Sequence, residues 1–546
     1  MQAHRVLVAP RDAWAARRTG RYSYAGGRSF MKRKRTIAAL LTGMMLLLLT
    51  AGCGDRQEDS GSGAAESGQA VGQAAHVKAV DSFVLAYNEN DGLNPYACTS
   101  PENELLVQLC FERLFVLDKS FQPQKVLCSS LEQTDSREYT LTVRSGVKFH
   151  SGQQLTPEDV VFSLNNARLR EDSTYQKQLA CISSVKYSGD EVHIRLYREN
   201  TNLAALLDVP IMRKGTDEDT CPDGTGPYQL AASEGVSTLI PFEQWSGGRI
   251  GFCKAITLKP VSDSAGAANL LGSGELSLLM RTDAESAPVQ GAKYNVGVPG
   301  TRMHYLGINC DLEPYDSADV RAGLAYLLNR KSIVQSCFAG RADAAGLPMI
   351  PVPQGVEQPD NNREKGLELL RDADIFDRNE DGYLDIRGGR PFEIEIIYNE
   401  KYSTKGAVLQ QCAKSLDEAG IKTTVTPLSF EDCQSRLRRE AFQLYYGEYE
   451  MTADFDLSSL ISTNGERNFS GYYDKDMETA IRALASCRPE EREKAQTEYL
   501  STFVEQMPII PLAFERTTIA SAEKLPDQFD PWPDHIFHGI ETGSAS

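Results

Sequence analysis

From about residue 302 to residue 513 the chain alternates strand and helix patterns, and that alternation restricts its fold more than any other feature. Apolar strand patterns cover His304–Asn309, 392–398 (FEIEIIY), 422–428, 442–447 and Ile509–Ala513. Between them lie helical patterns over Ser317–Cys337, 405–419, 430–440, about 474–487 and 489–506. The first of these helices places Val320, Leu324, Leu327, Leu328 and Val334 at helical spacing. A strand that leads through a helix into another strand returns the chain in the same direction, which makes parallel βαβ units. This half is therefore read as α/β.

Upstream the character differs. Phe83–Tyr87 is a short strand followed by a turn-rich stretch, and Tyr139–Phe149 alternates apolar with polar residues. Thr156-Pro157-Glu158-Asp159 predicts a helix start: Thr can cap, Pro suits the first helical position, and the acids favour the positive end of the helix dipole. Hairpins are predicted at Ser183–Tyr187 with Val192–Tyr197, and after Gly226, turning at Ser233-Glu234-Gly235. No internal repeat is visible.

The N-terminal segment says where such a chain works. Lys32, Arg33, Lys34 and Arg35 precede an apolar run from Ile37 to Leu49, then Thr50, Ala51, Gly52 and Cys53. A basic start, a short apolar run and small residues make an export signal. The run is too short for a comfortable membrane span, which needs about 20 apolar residues. The alternative reading is an uncleaved signal anchor; both put the remainder outside the cytoplasm. Residues 1–30 fit no part of such a signal and are read as a mistaken start, 31–52 as the signal, and 53–76, rich in Gly, Ser, Ala and Gln, as a flexible tether.

The net charge is −18, and the first 52 residues are basic, so the rest is more acidic still. Such a surface excludes nucleic-acid binding through phosphates and attraction to anionic lipid. It tolerates cationic or zwitterionic solutes. The twelve cysteines show no CxxC and no repeated spacing; an odd number remains beside Cys53, no bridge is assigned, and an anaerobic source is suggested.

The motifs together resemble one family. Cys53 after small residues resembles the lipobox of bacterial lipoproteins, with Thr50 where Leu is commonest. Gly92-Leu93-Asn94-Pro95, Val147-Lys148-Phe149-His150-Ser151-Gly152, Leu155 to Val160, Gly224-Thr225-Gly226-Pro227-Tyr228, Asp319-Val320-Arg321 leading to Asn329-Arg330, Ala453-Asp454-Phe455-Asp456, Asn468 to Tyr472 and Met507 to Leu512 follow in order. The series resembles the extracellular solute-binding proteins of ABC importers, family 5, the peptide- and nickel-binding type. The resemblance implies a two-lobed Venus flytrap of α/β class with mixed sheets flanked by helices. Lobe one would span 77–300 with an extra domain near 115–221, lobe two 301–513, and 514–546 would return to lobe one. The hinge would lie near Gly300–His304 and Pro511–Phe514.

The resemblance also implies site residues. Family members that take peptides hold the ligand's ammonium with an Asp in a W-x-A-D-Y type motif, which places that role on Asp454. Met451 stands where Trp is usual, a departure that puts a peptide in the standard register in doubt. The competing reading is that Asp454 or Asp456 caps a helix starting at Leu457. Thr99 and Ser100 would line the cleft from lobe one, and Tyr449, with Tyr445 and Tyr446, lies on the strand leading to Asp454; a surface loop and core packing are the plain alternatives. Cys53 would carry the lipid.

No cofactor is expected. Asp377, Asn379, Asp381 and Asp385 match the first half of a calcium loop, but Gly388 replaces the closing Glu, so a surface turn is preferred. The seven histidines do not cluster beyond His535 and His538. No G-x-S-x-G, H-E-x-x-H or Walker sequence occurs, so no enzyme is expected. The implied protein is a monomer tethered to the outer face of the cell membrane, handing oligopeptide or dipeptide to a permease; a solute-sensing receptor and a nickel-chelate carrier are the alternatives.

Overall fold

A computed structural model describes residues 83–540, apart from 234, 235, 249, 251, 252, 283–287 and 402. Cys53, the export segment and the tether lie outside the described residues. So does the turn at Glu234-Gly235.

Two large hydrophobic cores organise the chain. One gathers residues from Phe83 to Met280 together with Ile536, Phe537 and Ile540. The other gathers residues from Met303 to Phe514 together with Leu117, Phe121 and Ala205. Two long strands, Tyr294–Ile308 and Ile509–Ser521, run antiparallel through both. Val298 and Ile519 belong to the first core, Met303 and Phe514 to the second. Their register is irregular between Pro299 and Met303, where the chain passes from one core to the other.

In the first body, Phe83–Asn88 pairs parallel with Ile256–Val261, and the hairpin Tyr228–Ser233/Val236–Pro241 completes a four-stranded sheet. A separate antiparallel sheet holds Cys128–Asp135, Glu138–Val143, Glu191–Leu196 and Ile182–Ser188. The helix Pro157–Leu169 begins as its sequence predicts. Thr156 Oγ accepts from Asp159 N, and Asp159 Oδ2 accepts from Thr156 N at 3.0 Å, a reciprocal capping box.

In the second body, Glu393–Asn399 pairs parallel with both Lys422–Leu428 and Leu444–Glu450. These strands extend the seven-stranded sheet that contains the two long strands. The helix predicted over Ser317–Cys337 is two helices, Ala318–Leu327 and Arg330–Cys337. Leu328 turns extended, and Asn329 caps the second helix by accepting from Ser332 N at 3.0 Å. Arg330 is fully buried and donates to the carbonyls of Ala325, Pro359 and Pro511, which fixes the break.

The strand directions locate a cleft. Asn88 and Val261 end at one edge of their parallel pair. The helix Ser264–Gly272 then leads into Leu278–Arg281, which lies beside the first strand because Ser277 N–H donates to Val84 O at 2.9 Å. There Leu278–Arg281 pairs antiparallel with Ile509–Ser521 in the seven-stranded sheet. In the second body Asn399, Leu428 and Glu450 share an edge likewise. In open α/β sheets ligands bind outside the carboxyl ends of the strands.

Candidate functional site

Leu444–Glu450 ends in a turn that carries Met451 to Asp454. Asp454 is half-buried, and both carboxylate oxygens have donors: Thr452 Oγ1 at 2.5 Å and Asn200 Nδ2 at 2.9 Å. Asn200 comes from the first body, after the strand Glu191–Leu196. Removal from water raises the Asp454 carboxyl above the usual range, and the Asp456 charge adds to the effect. Neither acid is the N-cap of the short helix Ser458–Ile461, which is Leu457; Asp456 accepts from Ser458 N and Oγ, both at 2.8 Å.

Other contacts between the bodies surround Asp454. Lys177 donates to the carbonyl of Glu450, and its ammonium stands 3.7 Å from the centre of the Tyr449 ring. Phe121 meets Phe455 edge-on with ring centres 5.2 Å apart. Thr201 N–H donates to Ala485 O (2.8 Å), its hydroxyl to Cys487 O (2.6 Å), and Arg492 donates to that hydroxyl (2.7 Å). Tyr445, Tyr446, Tyr449 and Met451 are all buried.

Beside the crossing strands lies a charged network. Glu450 accepts from Thr301 Oγ1 (2.7 Å) and Arg302 Nε (2.9 Å). His304 is buried between Tyr446 Oη (2.5 Å) and Glu515 Oε1 (2.8 Å). None of Asn200, Lys177, Arg302, Glu450 or His304 stands out in the sequence, because each acquires meaning only from a partner far along the chain.

Thr99 and Ser100 open the helix Pro101–Cys110 at the carboxyl edge of the first body. Their backbone N–H groups donate to Asp91 Oδ2 at 2.9 and 2.8 Å. Thr99 is exposed; Ser100 is buried and its hydroxyl has no hydrogen-bond partner. Tyr449 and Met451 are thus packed in the second core, with Asp454 on the turn that follows, and Thr99 and Ser100 lie on the edge of the other body.

The acidic stretch is a turn tied to its own backbone. Asp377 accepts from Asp381 N and Gly382 N, Asn379 from Asp381 N, Asp381 from Tyr383 N, and Asp385 from Arg378 N. Among the described residues no group of three or more His, Cys, Asp or Glu is placed to hold a metal ion. No helix among them is long and apolar enough to cross a membrane.

Two α/β bodies linked by two continuous strands, with their strand ends supplying polar groups, define a protein that binds a solute between lobes. The model of bacterial extracellular solute-binding proteins, family 5 (middle), matches residues 122–470, and the chain belongs to that family. A glutathione-binding protein, GsiB of Salmonella paratyphi A, is 25% identical over 482 residues, covering 82% of this chain and 91% of the relative. A nickel ABC transporter structure from Bacillus halodurans superposes with a TM-score of 0.69 at 20% identity, covering 84% of this chain and 98% of that one. The oligopeptide-binding protein AppA of Bacillus subtilis, solved with a nonapeptide, gives 0.55 at 19% identity, covering 86% and 99%. The fold is the two-lobed one of periplasmic binding proteins. The protein is an extracytoplasmic substrate-binding component of an ABC importer, not an enzyme.

Proposed function

We propose that this protein captures a short peptide between its lobes and delivers it to the permease, held to the membrane by a lipid on Cys53. The domain reading that goes with it is lobe one at 77–300 with the extra domain near 115–221, lobe two at 301–513, and a C-terminal return. The protein works as a monomer. The observation that carries the reading is the Asn200–Asp454 hydrogen bond, which ties an acidic group at the strand ends of one lobe to the other. GsiB relatives bind glutathione, itself a short peptide, and AppA holds a nonapeptide.

In this reading Asp454 receives the ligand's ammonium. An ammonium about 4 Å from a carboxylate gains on the order of 4 kcal/mol at an effective dielectric near 20, before desolvation is subtracted. It would also reverse the upward pull of burial on that carboxyl. Peptide backbone would pair with strand ends and with the Thr99–Ser100 turn, and bridging water would admit varied side chains. Contact with both lobes would shift the open–closed equilibrium toward closure.

Calorimetric titration of the full chain with di- and tripeptides tests this. Binding is expected, and Asp454→Ala is expected to weaken it about tenfold or more, or about 1.4 kcal/mol. Equal affinity in variant and parent would remove Asp454 from the site, and no peptide binding at all would overturn the reading.

A further inference from the structure

The edge of lobe one holds a buried carboxylate that nothing in the fold satisfies. Glu102, in the first turn of the helix Pro101–Cys110, is 2% exposed, and neither of its side-chain oxygens has a hydrogen-bond partner. Two residues earlier the Ser100 hydroxyl is also buried and unpartnered. An ionised carboxylate taken out of water without a partner is costly, by several kcal/mol even after relaxation. Folds retain such a group where something else completes it.

The neighbourhood excludes the internal candidates. Asp91 spends an oxygen on the N–H groups of Thr99 and Ser100. Asn103 is committed to the backbone of Asn88, Asp91 and Gly92. Arg281 donates to the carbonyl of Ser264 at 3.3 Å and leaves its Nε without a partner, and it forms no hydrogen bond with Glu102. Glu102 and Ser100 therefore offer acceptors on the edge where the strand ends of lobe one face the ligand.

We propose that Ser100 and Glu102 form a second cation subsite, which takes a positively charged side chain of the peptide while Asp454 takes its N-terminal ammonium. The inference rests on the peptide-binding reading and narrows it to ligands carrying a basic residue. A lysine-type ammonium supplies three donors, enough for both Glu102 oxygens and the Ser100 hydroxyl. The acidic balance of the chain favours the approach of such a ligand.

The test is titration of the full chain with trialanine peptides bearing, at each position in turn, either lysine or norleucine, its uncharged near-isostere. At one position lysine is expected to bind at least tenfold tighter than norleucine, and Glu102→Gln is expected to erase that preference while keeping norleucine binding. Norleucine binding as well as lysine at all positions, or a lysine preference intact in Glu102→Gln, overturns the subsite and leaves the peptide-binding reading standing. If none of these peptides binds, the subsite falls; the wider di- and tripeptide titration then decides whether the peptide reading falls with it.

Discussion

Asn200 donates its side-chain amide to Asp454 Oδ2 at 2.9 Å, joining a loop of one lobe to the turn that ends a parallel strand of the other. The same loop anchors Thr201 to the carbonyls of Ala485 and Cys487. Closure of the lobes is thus recorded in side chains more than 250 positions apart. Asn200→Ala is expected to loosen the closed form, since it removes the donor to Asp454; it also removes the acceptor for Asn202 N–H at 2.9 Å within the same loop. Stopped-flow measurement of peptide release should show faster dissociation, by roughly fivefold for the loss of about 1 kcal/mol of hydrogen bonding. An unchanged release rate would mean that this contact does not hold the lobes shut.

Asp454 gives a pH dependence of defined sign. Its carboxyl is raised in the folded protein, so the fold binds its proton more readily than the unfolded chain does. The group's contribution to stability is complete below the ordinary Asp value of about 3.9 and is lost as pH rises through the raised one. Asp454→Asn removes that dependence. The melting temperature of the variant minus that of the parent should therefore grow from about pH 4 to about pH 7 in the absence of ligand. A difference that stays flat across this range would contradict the raised value.

In the second lobe, Tyr305 lies opposite Gly447 and Gly307 opposite Tyr445 on paired strands. Each ring covers the glycine across from it, and the two hydroxyls meet at 3.3 Å. A methyl group at either glycine would overlap a buried tyrosine ring. Gly307→Ala and Gly447→Ala should each destabilise by about 1–3 kcal/mol in denaturant unfolding. Parental stability in both would show that the strands separate easily here.

Arg113 and Asp208 form a buried ion pair at 2.9 Å in lobe one. Asp208→Asn leaves the guanidinium without its counter-charge and should cost about 3–5 kcal/mol, read as a lower denaturation midpoint. A neutral outcome would show that water or another acceptor reaches Arg113.

Much of this fold is legible in the sequence, and the parts that are not share a physical cause. The start at Thr156-Pro157 and the alternation after residue 302 are local signals, and the structure follows them. Ser317–Cys337 reads as one helix because its apolar spacing continues through Leu328. The break comes from Arg330, whose guanidinium gathers the carbonyl of Ala325 in the preceding helix and those of the distant Pro359 and Pro511. The strand expected at His304–Asn309 instead starts at Tyr294, since pairing with Ile509–Ser521 extends it across both cores. Asp454 could be picked out from its motif. Asn200 and Glu102 could not, because a partner 254 positions away and a missing partner both leave no local pattern.

Native mass spectrometry of the full chain, purified without denaturation and released from detergent, tests the central claim most directly. Two lobes clamping on a small solute predict a complex heavier than the bare chain by one peptide-sized ligand, lost on unfolding and replaceable by an added short peptide. A bare mass that no added peptide, chelate or other small solute shifts would contradict the account.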